Sequence, residues 1–128
     1  MVEESRPIVI AVSADHGTVT SASAVSLGFM VTELVINAIK YAFAKSAQAD
    51  ARIVVRYEVD GHRWRLSVKD NGAGAPENTH SSGGGLGSLI VASLAKKLDA
   101  TVETISTAAG MCVTVTHASF PVHLPLAA

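Results

Sequence analysis

The sequence is short of cysteine, of net charge and of long apolar runs, and each shortage removes a class of function. Cys112 is its one cysteine, which excludes an internal disulfide framework and any CxxC or multi-cysteine zinc site. Ten Lys plus Arg stand against eleven Asp plus Glu, a formal charge of −1. A surface dedicated to coating DNA or RNA would carry a basic excess, so nucleic acid is not an expected partner. No apolar run approaches the roughly 20 residues that cross a bilayer, so no membrane contact is expected. The opening Met-Val-Glu-Glu-Ser has neither the basic nor the apolar segment of a signal peptide. A cytoplasmic location follows as the simplest expectation.

What is present is enough for one core. The chain has 128 residues, 48% of them hydrophobic, which suits a single domain over 1–128 and is too short for two well-packed ones. No repeat of 20–50 residues occurs. Pro7 to Val12 reads as a strand, closed by the turn cluster Ser-Ala-Asp-His-Gly. From about Ala24 to Ala44 the pattern is helical, with Leu27, Met30, Val31, Leu34, Val35, Ala38 and Ala42 on one side at about 100° per residue. Arg52 to Asp60 and Arg63 to Asp70 form two strands of a hairpin around Asp60-Gly61. Gly74 to Gly85 is rich in Pro, Ser and Gly and reads as a loop. Leu86 to Leu98 is a second helix, with Leu86, Ile90, Leu94 and Leu98 at four-residue spacing. Thr101 to Ile105 and Met111 to Thr116 close the chain as a hairpin around Ala108-Ala109-Gly110. The order β-α-β-β-loop-α-β-β predicts an α+β, two-layer sandwich: a mixed sheet with helices on one face.

Three groups of residues carry chemistry. The first is Glu33, Asn37 and Lys40, which span about 60° of arc on the long helix, roughly opposite the apolar stripe. They sit among Phe29, Ile36 and Ile39, and no other charged residue occurs between Ala22 and Ala44. An amide oxygen suits Mg²⁺, an ammonium suits a phosphate, and a carboxylate can polarise a water or hydroxyl. The plainer reading is a surface helix with a few solvating residues. The second group is Asp70-Asn71-Gly72-Ala73-Gly74. Strand alternation places Asp70 on the side of Trp64, Leu66 and Val68, toward the core. A buried carboxylate needs a donor, and no Arg or Lys shares that side of the strand. An amino group on a ligand, such as N6 of adenine, would serve, and the glycines would let the backbone approach it. A common Asp-x-Gly strand end is the competing reading. The third group is Gly83-Gly84-Gly85-Leu86-Gly87-Ser88, running into the second helix. Glycines there leave N–H groups open to an anion at the positive end of the helix. Neither a P-loop nor a dinucleotide fingerprint is present, and a ligand-free glycine linker is the alternative.

In this order and at these spacings the three groups resemble the GHKL ATPase superfamily from Ile8 to about Phe120. The run from Leu27 to Phe43 looks like its N-box, Val68 to Pro76 like its first glycine box, and Gly83 to Glu103 like its second. The string Glu-Leu-Val-x-Asn-Ala-x-Lys-Tyr-Ala-Phe resembles the ATP-binding catalytic domain of sensor histidine kinases with the variant dimerisation domain. Two features set the chain beside the related HWE group: Thr32 stands where those kinases carry a His, and Trp64 lies outside their Trp-x-Glu arrangement. The resemblance implies a Bergerat-type fold with a flexible ATP lid, ATP and Mg²⁺ as cofactors, and Asn37 as the metal ligand. It implies Lys40 as a phosphate contact, Tyr41 lining the cleft, and Asp70 accepting the adenine amino hydrogen beside Gly72 and Gly74. Gly83, Gly84, Gly85, Leu86 and Gly87 would form the lid hinge and its phosphate-facing end, and Glu33 would be the N-box acid. The γ-phosphoryl group would go to a histidine on a separate dimerisation domain, and from there to a response regulator. None of His16, His62, His80, His117 and His123 lies in a His-Arg-x-x-Asn helical motif, so each reads as a surface or turn histidine. The isolated domain is expected to be a monomer. Two alternatives are an anti-sigma-factor serine kinase of the same fold and a docking module that has lost its nucleotide.

Overall fold

The computed structural model describes residues 8–42, 50–72 and 85–117. Strand β1 (Val9–Ala14) leads into helix α1 (Ser21–Asn37), which continues as a π-helical turn over Ala38–Ala42. Strands β2 (Arg52–Asp60) and β3 (Arg63–Asp70) follow, then helix α2 (Gly85–Lys97), and strands β4 (Ala100–Thr107) and β5 (Gly110–His117). The sheet order is β1-β2-β3-β5-β4. β1 runs parallel to β2, a pairing that needs a crossover, and α1 supplies it. All other pairs are antiparallel, so the sheet is mixed, as the element order predicts.

Helix α1 starts earlier than its apolar periodicity indicates. Thr20 is the N-cap, and its hydroxyl accepts from the backbone N–H of Ser23 at 3.2 Å, satisfying one of the orphan donors of the first turn. The apolar stripe is where it was expected. Met30, Leu34 and Ala38 are buried, with Leu27, Val31 and Val35 packed around them. They meet Val91 and Ala95 of α2 and Ile53, Val55, Trp64, Leu66, Val68 and Val115 of the sheet. Strand β1 begins at Val9 rather than Pro7, and its backbone bond from Val9 N–H to the Ala51 carbonyl starts the parallel ladder.

Two expectations are corrected by the fold. The helical stretch Ser21–Lys40 is long and apolar enough, by length and composition, to cross a membrane, so the absence of such a run is withdrawn. One side of its apolarity is used by the core just described; the other bears the exposed side chains of Val25, Phe29, Ile36 and Ile39. His117 is no surface histidine. It is partly buried, its ring stacks on Trp64 at 5.5 Å, and its Nδ1 lies 3.0 Å from the Leu98 carbonyl and 3.2 Å from that of Asp99. As an N–H donor, Nδ1 meets carbonyls that the end of α2 leaves open. Asp99, at φ 59°, makes the left-handed exit there that a short polar side chain tolerates.

Candidate functional site

Asp70 ends β3 on the core side of the sheet. The alternation along β3 holds to its last residue: Trp64, Leu66, Val68 and Asp70 are all buried, and Asp70 is only 5% exposed. Its Oδ1 accepts two backbone N–H groups, from Gly72 at 2.9 Å and from Met111 at 3.3 Å. No cationic side chain pairs with it among the described residues. The donors are therefore main-chain, which strand alternation alone does not reveal. They fix one carboxylate oxygen and leave Oδ2 without a donor among the described residues.

The second of those N–H groups depends on a glycine that the sequence pattern places only in a turn. Gly110 has φ +140°, and a Cβ there would lie 2.0 Å from the Asp70 carbonyl oxygen and 2.9 Å from its carbonyl carbon. Only a residue without a side chain lets β5 start this close to the end of β3. Gly110 and Met111 are thus the positioning residues that sequence reasoning missed. The glycine itself was visible; its closeness to Asp70 depends on the β3–β5 register, in which Lys69 pairs with Cys112.

Asn71 points its chemistry the other way. Its Oδ1 accepts from the Arg52 N–H at 2.8 Å and its Nδ2 donates to the Asp50 carbonyl at 2.9 Å. The Asp70-Asn71 pair therefore divides two tasks, the acid facing the core side and the amide pinning the start of β2.

On α1, Glu33 and Asn37 are half-buried rather than opposite the core stripe. They lie on the flank between the buried row and the exposed Phe29 and Ile36. Neither side chain has a hydrogen-bond partner among the described residues, so the Asn37 amide oxygen is open to a hard cation. The structure alters the geometry beyond Asn37. Ala38–Ala42 winds as a π-helix, so the arc reckoned at about 100° per residue does not extend to Lys40 and Tyr41. Lys40 is exposed; the Tyr41 side chain lies outside the described residues. Helix α1 packs against both α2 and β3. Gly85 opens α2, with Leu86 and Gly87 in its first turn, so a glycine-led helix start is present as expected. Gly72 is buried beside Asp70. Gly74, Gly83, Gly84 and His80 lie outside the described residues.

A mixed five-stranded sheet with two helices is the α+β sandwich of histidine kinase ATP-binding domains. Residues 22–126 match the family described as Histidine kinase-, DNA gyrase B-, and HSP90-like ATPase. The chain belongs to that family, which includes the ATP-binding catalytic domains of histidine kinases and generally uses Mg²⁺ with ATP. It is 33% identical over 110 residues to Blue-light-activated histidine kinase 2 of Erythrobacter litoralis, covering 84% of this chain and 31% of that protein. The solved histidine kinase domain of a blue-light activated histidine kinase from Erythrobacter litoralis superposes with a TM-score of 0.76 at 31% identity. That match covers 86% of this chain and 54% of the other. A mycobacterial sensor histidine kinase, MprB, shares the fold at a TM-score of 0.62 and 19% identity, over 86% of this chain and 82% of that one. The chain thus spans about a third of the first relative and about half of the second.

Proposed function

We propose that this chain binds Mg·ATP and serves as the phosphoryl-donating domain of a two-component sensor histidine kinase. The observation that carries the reading is Asp70: a buried carboxylate with no cationic partner among the described residues, whose Oδ1 is held by the Gly72 and Met111 amides. A carboxylate oriented in this way offers Oδ2 to an N–H donor without reorganising, and the exocyclic amine of adenine is such a donor. By likeness to the family, Gly72 and Gly74 would shape that wall and Tyr41 would line the cleft. Lys40 and the amides of Gly83, Gly84, Gly85, Leu86 and Gly87 would address the phosphates. Asn37, half-buried with an amide that has no partner among the described residues, fits a Mg²⁺ ligand, and the metal would neutralise phosphate charge.

Phosphoryl transfer of this kind depends mainly on positioning and charge neutralisation. A histidine nitrogen on a separate dimerisation domain attacks the γ-phosphorus, the bond to the bridging oxygen of ADP breaks, and a response regulator later receives the group. The N-box acid Glu33 is suited to polarise or accept a proton at the acceptor. In this reading the chain works in the cytoplasm, is monomeric on its own, and autophosphorylates little or not at all because its acceptor lies elsewhere. The test is calorimetric titration with a non-hydrolysable ATP analogue, with and without Mg²⁺. Binding that Mg²⁺ tightens, with the metal effect lost in Asn37→Ala, supports the reading. An unchanged metal titration in that variant removes Asn37 from the site, and no nucleotide binding at all overturns the function.

A further inference from the structure

The far end of β3 holds a cavity, roughly 20 Å from Asp70 at about 3.3 Å per strand residue. It has a volume of about 480 Å³ and lies between the α1 N-terminus and the β2–β3 hairpin, within the size range of small-molecule sites. Tyr57, Val59 and Trp64 form its apolar wall, and Thr18, Ser23 and Arg63 supply polar groups. No acidic residue is among those that line it, and the neighbouring Asp15 carboxylate is engaged by the backbone N–H of Val59 at 2.9 Å.

Several donors here have no partner among the described residues. Trp64 is nine-tenths buried, yet its indole N–H has no acceptor among the described residues. Buried indole N–H groups ordinarily find one. The Tyr57 and Ser23 hydroxyls also make no hydrogen bond among the described residues. Burial raises the Tyr57 pKa, so the phenol keeps its proton and remains a donor. Arg63 meets Asp60 through one guanidinium nitrogen at 3.4 Å, with both side chains well exposed, and its other N–H groups have no partner among the described residues. The first turn of α1, which holds Ser23, carries no acidic residue, so the positive end of the helix is not neutralised from within.

We propose that this cavity is a second ligand site, for a small aromatic carboxylate. The planar body lies against the Tyr57–Trp64 wall, and the carboxylate takes the indole, hydroxyl and guanidinium donors. The site is separate from the nucleotide site and does not rest on it.

The probe is sodium benzoate, titrated into the ¹⁵N-labelled chain, with benzamide as the uncharged counterpart. Because Trp64 is the only tryptophan, one indole N–H resonance reports directly on the site. Benzoate shifts that resonance together with the amides of Thr18 to Ser23, leaves Gly72 and Met111 in place, and binds more tightly than benzamide. Arg63→Gln, a change at an exposed side chain, weakens benzoate roughly three- to tenfold and leaves benzamide unchanged. No indole shift at millimolar benzoate overturns the proposal, as do equal responses to the two probes or shifts spread across the surface. A parallel titration with the ATP analogue moves Gly72 and Met111 instead, so the two sites stand or fall separately.

Discussion

The two ends of β3 solve the problem of a buried polar group in different ways. At Asp70 the strand ends on a charge, and two backbone amides supplied by Gly72 and Met111 satisfy one of its oxygens. At Trp64, one residue from its start, it carries a large apolar side chain, held between Tyr57 at 6.2 Å and His117 at 5.5 Å, with the single indole donor unpaired among the described residues. The first end is built by main-chain geometry and the second by side-chain packing. They should therefore respond to mutation differently, the Trp64 end in stability and the Asp70 end in ligand affinity.

The harshest way to break the contrast is Trp64→Ala. Truncating this buried indole should cost about 3–5 kcal/mol of stability, read as a lower denaturation midpoint, while nucleotide affinity of the folded fraction stays the same. A large affinity loss would show that the two ends are coupled. Gly110→Ala comes next. With φ +140° and a Cβ that would sit 2.0 Å from the Asp70 carbonyl oxygen, it should destabilise by about 2–4 kcal/mol. Unlike Trp64→Ala, it should also weaken ATP binding, because the Met111 amide moves with it. A stable variant with intact affinity would remove Gly110 from the positioning role. The smallest effect is Thr20→Ala, which deletes the α1 N-cap and should cost about 1 kcal/mol by thermal or chemical denaturation. No change would mean that the first turn of α1 is held by other contacts.

The same contrast explains what the sequence disclosed. Asp70 was legible because a period of two carries its orientation along β3 from Trp64, Leu66 and Val68, and nothing interrupts the strand. The core side of α1 was legible because Met30, Leu34 and Ala38 keep helical spacing. Other features depend on partners distant in the chain. Gly110 reads as an ordinary turn glycine until the β3–β5 register brings it against the Asp70 carbonyl. His117 reads as a surface residue until β5 carries it to Trp64 and the end of α2. The π-helical turn at Ala38–Ala42 was hidden for another reason: an apolar pattern reports which side is buried, and one extra residue in the winding rotates every later side chain. Arc estimates for Lys40 inherit that error; Glu33 and Asn37 precede the π-turn, and their half-buried place on the flank of the core row departs from the expected opposite side without it.

The central claim is that the Asp70 carboxylate selects adenine, and Asp70→Asn tests it most directly. The substitution keeps an oxygen able to accept from Gly72 and Met111, and it replaces the other oxygen with an NH₂ donor. Calorimetric titration of both proteins with non-hydrolysable ATP and GTP analogues should show ATP affinity falling by about tenfold or more, the worth of a charge-assisted hydrogen bond of about 1.5–3 kcal/mol. GTP binding should hold or improve, since guanine presents a carbonyl where adenine presents an amine. Equal losses for both nucleotides, or no loss for either, would contradict the account.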